Sequence, residues 1–75
     1  MKLVPVKPRR LLQALQRAGF YVHHQKGSHA RLLHATRPEL RVTVPVHHGT
    51  DIQPSLLKRI LKQADLSEER FLELL

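Results

Sequence analysis

The side chains in this chain best suited to move protons near neutral pH are its histidines. Six of its 75 residues are histidine, and none is cysteine or tryptophan. An imidazole titrates near neutrality, so it both takes and gives protons under ordinary conditions. His23, His24, His29, His34, His47 and His48 supply that capacity. The lack of cysteine excludes disulfides, thiolate zinc sites, iron–sulfur clusters and a thiol nucleophile. A two-metal centre needs clustered carboxylates. Only Glu39 precedes residue 51, and Asp51 stands alone beside His47 and His48. Adjacent histidines at a strand-to-loop junction point apart, which disfavours a zinc site made of those three residues. No metal and no cofactor is expected. Ser28 has no nearby base oriented by an aspartate, so its hydroxyl reads as a turn-stabilising group.

The cations that would surround such histidines are concentrated. Residues 1–50 carry nine Lys/Arg against one acid, while residues 51–75 carry four against five, so the first two thirds hold all of the net +7. A basic surface of this density points to a polyanion, nucleic acid first, or to an acidic protein partner. The length fits one small domain over residues 1–75, with a thin core that buries roughly 60% of the unfolded surface. An apolar fraction of 41% is too high for a disordered basic tail. No apolar run approaches the ~20 residues of a membrane span. The start Met1-Lys2-Leu3-Val4-Pro5 lacks the pattern of a secretory leader. A soluble cytoplasmic protein is expected.

The elements that position these residues follow from periodicity. Pro8 suits the first position of a helix over residues 8–18, with Leu11, Leu15 and Ala18 on one side and Gly19 as the stop. Phe20–Gln25 is a short β-prone run, and Lys26-Gly27-Ser28 a tight turn in which glycine supplies a positive φ. His29–His34 reads as a second strand. Leu40–Val46 is a third, with Leu40, Val42, Val44 and Val46 facing a core and Pro45 marking an edge or an end. Pro54 opens a second long helix, with Leu57, Ile60, Leu61 and Ala64 aligned. Ser67, followed by Glu68 and Glu69, begins a short C-terminal helix. The predicted class is α+β, ordered α-β-β-β-α plus a short helix. Its three-stranded antiparallel sheet has helices on one face only.

The uncovered face then carries the chemistry. Alternation sends Ala30 and Leu32, and Phe20 and Val22, inward. It sends Tyr21, His23, Gln25, His29, Arg31, Leu33, Arg41 and Thr43 outward. His34, at a strand end with inward parity, is expected to be structural. Cations for phosphate and a tyrosine ring for stacking make this a surface for single-stranded or locally opened RNA.

Gly19-Phe20, Gln25-Lys26-Gly27-Ser28-His29, Val42-Thr43-Val44-Pro45 with His47, and Leu56–Ala64 together resemble the HicA toxin family from about residue 7 to residue 75. His24 and Pro54-Ser55 depart from that family's usual residues. The resemblance implies a fold like a double-stranded-RNA-binding domain. It also implies an mRNA interferase of a type II toxin–antitoxin pair, a HicB-type antitoxin as partner, and His29 as the catalytic histidine. That role is chemically sound. RNA brings its own nucleophile, and an imidazole can take the 2′-OH proton as the oxygen attacks phosphorus. His47 or His23 is available as the second proton carrier. Lys26, Arg31 and Arg41 can hold phosphate, with Gly27, Ser28 and Tyr21 completing the RNA contacts. The alternative is a small RNA- or DNA-binding module without catalysis, in which Gly27-Ser28-His29 is only a turn.

Overall fold

A computed structural model describes residues 3–47 and 49–75. The elements run α1 (Pro8–Arg17), β1 (Phe20–Lys26), β2 (His29–His34), β3 (Arg41–Pro45), α2 (Pro54–Gln63) and α3 (Glu68–Leu74). The strands form one antiparallel sheet in the order β1-β2-β3. Helix α1 packs over β1 and β3, α2 over β3, and α3 against both helices. One face of the sheet is thus left open, and the expected α-β-β-β-α arrangement is found. No helix among the described residues is long and apolar enough to cross a membrane.

The two long helices start without side-chain caps. Lys7 and Gln53 are extended, and Pro8 and Pro54 take the first helical position, where a missing N–H costs nothing. Gly19, with φ +104°, follows the end of α1. Helix α2 ends on Asp65 in the left-handed region, with φ 54°. The Leu66 amide bonds to the Leu61 carbonyl at 2.9 Å and the Asp65 amide to the Lys62 carbonyl at 3.1 Å, which is a Schellman closure. Aspartate is one of the few non-glycine residues that enter this region cheaply. The Asp65 carboxylate also accepts a hydrogen bond from Arg37 Nη1 at 2.8 Å. That bond, and a weaker one to Glu39, hold the Arg37 guanidinium above its ordinary pKa. Ser67 caps α3 as expected, its Oγ accepting from the Arg70 amide at 3.1 Å.

The core is one cluster. Leu11, Ala14 and Leu15 from α1 and Leu57, Ile60 and Leu61 from α2 meet Ala30, Leu32, Val42 and Val44 from the sheet, with Phe71 and Leu74 closing it from α3. The inward sets expected for β2 and β3 are therefore found; Leu40 and Val46 lie just outside β3 and are half-buried. The N-terminal segment joins this core through buried Leu3. It is fastened by an isolated antiparallel bridge in which Val6 and Ile52 exchange hydrogen bonds of 3.1 and 2.7 Å. Single-residue bridges have no periodicity to betray them in a sequence.

One expectation fails in β1. Phe20, Tyr21 and Val22 pair with His34, Leu33 and Leu32, but the register then slips, and His24, Gln25 and Lys26 pair with Arg31, Ala30 and His29. His23 is the extra residue of a β-bulge. An inserted residue inverts the facing of all that follow. His24 and Lys26 therefore share the open face with His29 and Arg31, and Gln25 turns towards the helix side. Val22 lies opposite buried Leu32 yet is 37% exposed.

His34 is structural, as expected. Its Nδ1 accepts the amides of Thr36 (3.2 Å) and Arg37 (3.1 Å), so the proton sits on Nε2, which donates to the Ala18 carbonyl at 2.9 Å. The ring meets Phe20 edge-on with centroids 4.9 Å apart.

Candidate active site on the open sheet face

Register fixes the open face as three rows across the strands. Lys26, His29 and Pro45 form the first, His24, Arg31 and Thr43 the second, and Tyr21, Leu33 and Arg41 the third. The first row is set by the hairpin between β1 and β2. Its two-residue loop is Gly27-Ser28, and Gly27 has φ +57°. A positive φ at the first loop residue is the type II′ requirement, which matches the twist of the flanking strands. A Cβ on Gly27 would meet nothing within 4 Å, so the demand is for backbone freedom and not for space.

His29 emerges directly from this loop and is exposed. Its Nδ1 lies 3.4 Å from Ser28 Oγ. Across the sheet, Pro45 ends the regular ladder of β3, as expected. The Val46 amide then bonds to the Ser28 carbonyl at 2.6 Å. That contact carries the chain exit beside the hairpin and sets the His47 ring near His29, with centroids 6.1 Å apart and planes at 78°.

Two shallow clefts divide the face. His24, Lys26, His29, Arg31 and Thr43 line one. The other takes in Tyr21, His23 and Arg41, and shares Arg31 and Thr43 with the first. The candidates named from sequence are thus all on the described surface, but not in one group. His29, Lys26 and Arg31 are together, with His47 beside them. His23, Tyr21 and Arg41 lie in the neighbouring cleft. Of the two histidines offered as second proton carrier, the one with its ring against His29 is His47.

His24 and Gln25 are the residues that alternation misplaced. His24 faces the first cleft because of the bulge. The sequence does hold a signal for it: the polar run His23-His24-Gln25-Lys26 ends the apolar alternation of β1. A larger groove beyond His47, of about 610 Å³, was not foreseen either. The zinc grouping weighed at His47, His48 and Asp51 includes His48, which is outside the described residues. Among those described, no three His, Asp or Glu side chains stand close enough to hold a metal ion.

Two imidazoles side by side among cations can take a proton from one oxygen and give one to another while a phosphate is held between them. No curated protein matches this chain. The family model described as HicA toxin of bacterial toxin-antitoxin matches residues 8–66, which span α1, the sheet and α2. With most of its length matched, the chain belongs to the HicA toxin family.

Proposed function

We propose that this protein is a metal-independent endoribonuclease, the toxin of a type II pair, acting on mRNA as one HicA-like domain over residues 1–75. Family membership supports a toxin role and nuclease action in general. The observation that carries the finer reading is the exposed His29 ring, on a cationic hairpin, with the His47 ring 6.1 Å away.

His29 acts as general base. It takes the 2′-OH proton as that oxygen attacks the adjacent phosphorus. The bond from phosphorus to the 5′-oxygen breaks, and His47 gives that oxygen a proton. The products are a 2′,3′-cyclic phosphate and a free 5′-hydroxyl, so no metal-activated water is needed. Lys26 and Arg31 flank His29 and neutralise the crowded phosphate. Tyr21, 46% exposed, offers a ring for stacking a base, with Arg41 beside it for a further phosphate. Gly27 and Ser28 shape the loop against which the RNA backbone lies. A HicB-type antitoxin would neutralise the toxin by covering this face, and a net charge of +7 suits an acidic partner. mRNA as substrate implies action in the cytoplasm.

The test is cleavage of single-stranded RNA in EDTA. Wild type should release fragments ending in cyclic phosphate. His29→Ala should bind the same RNA and cut it roughly 10²–10⁴-fold more slowly, the usual contribution of a positioned proton carrier. If wild type shifts RNA in a gel but leaves it intact, the protein is a non-catalytic binding module.

A further inference from the structure

A groove of about 610 Å³ opens where the histidine pair ends. One wall is the first turn of α1, with Lys7, Pro8, Arg9 and Leu12; the other is the segment after β3, with Val46, His47, Thr50 and Asp51. Gln25 lines it from β1. It does so only because the bulge at His23 turns Gln25 off the open face.

Three features say what the groove takes. Pro8, Leu12 and Val46 give it apolar sides, which suit the flat faces of an aromatic ring. Gln25, Thr50 and Asp51 bring an amide, a hydroxyl and a carboxylate, the groups that read a ring by its edge. Lys7 and Arg9 stand at the same groove and suit a neighbouring phosphate. His47 belongs to both the groove and the pair with His29, so a polymer held at the pair runs directly into it. The volume lies within the usual range of roughly 300–1,000 Å³ for small-ligand sites, enough for one nucleotide.

We infer that this groove is a subsite for the nucleobase next to the cleaved bond, and that Asp51 makes it selective for guanine. The inference rests on the RNA-cleaving reading above and adds to it a source of sequence preference. An ionised carboxylate only accepts hydrogen bonds. Guanine presents two adjacent donors, N1–H and the 2-amino group, which match its two oxygens. Adenine and cytosine present one amino group beside a ring acceptor, and uracil one N–H between two carbonyl oxygens that a carboxylate repels.

The test uses single-stranded RNA oligonucleotides that differ only in having guanine, inosine, adenine or uracil beside the cut. Wild type should cleave the guanine substrate at least tenfold faster in kcat/KM than the adenine or uracil ones, with inosine between. Asp51→Ala should bring that ratio below threefold, by slowing the guanine substrate and relieving the repulsion of the uracil one. A companion measurement takes binding affinities with the His29→Ala protein, with and without Asp51→Ala, so that the subsite is read even if no strand is cut. A guanine preference in binding that vanishes with Asp51 upholds the subsite though cleavage fail. Equal affinities for all four bases, or a preference unchanged in Asp51→Ala, overturn it.

Discussion

At the scale of single residues, the fold assigns its histidines different work by giving them different neighbours. The nitrogens of His34 are spent on the Ala18 carbonyl and the Thr36 and Arg37 amides, so that ring braces the turn after β2. Gly19 exists for the same brace. A Cβ there would lie 2.6 Å from His34 Nε2, and its φ of +104° is foreign to L residues. Gly19→Ala should therefore cost about 1–3 kcal/mol from backbone strain alone, with the displaced ring adding to it, as read by chemical denaturation. His29 and His47, by contrast, are exposed and paired with each other. His47→Ala should slow RNA cleavage roughly 10²-fold or more, and His23→Ala less than about tenfold, since His23 lines the other cleft. Equal losses in single-turnover assays would show that proximity to His29 is not what matters. The structural role of His34 was legible from its parity, and the turn glycine from Lys26-Gly27-Ser28. Which of His23 and His47 stands nearer His29 was not, because it depends on where the chain goes after Pro45.

At the scale of elements, the apolar spacings located every helix and strand to within a residue or two. Pro8, Pro54 and Ser67 marked the starts because each answers a local need of a helix N-terminus. Two features escaped. The bulge at His23 has no glycine to announce it, and its one sign is the polar run from His23 to Lys26, which fixes no register. The left-handed turn at Asp65 is made by a residue that also fits a helix. Each meets a residue distant in sequence: His24 pairs with Arg31 across the sheet, and the Asp65 carboxylate accepts from Arg37. The Ser67 cap needs no such partner. Ser67→Ala should lower stability by about 1 kcal/mol through the lost bond to the Arg70 amide, seen as a reduced denaturation midpoint with an unchanged slope.

At the scale of the whole molecule, charge and layering act together. The helices are spent on one side of the sheet, and the cations of the first two thirds of the chain include Lys26, Arg31 and Arg41 on the other. Affinity for single-stranded RNA should fall steeply with salt. Each phosphate neutralised contributes a slope of about −0.7 in log K against log salt. Arg31 belongs to both clefts, so Arg31→Ala should flatten that slope by about 0.7 and weaken binding for all sequences alike. A slope unchanged from wild type would remove Arg31 from the phosphate path.

The hydrogen bond from the Val46 amide to the Ser28 carbonyl has one more consequence. It joins two stretches of main chain, so the backbone spacing between His29 and His47 is held by peptide geometry, and the rings meet from there through their own rotamers. Tyr21 and His23, in the cleft away from the pair, take no part in that backbone link. If the proposed function holds, RNA contacts made in that cleft are free to change while the spacing of the histidine pair is kept.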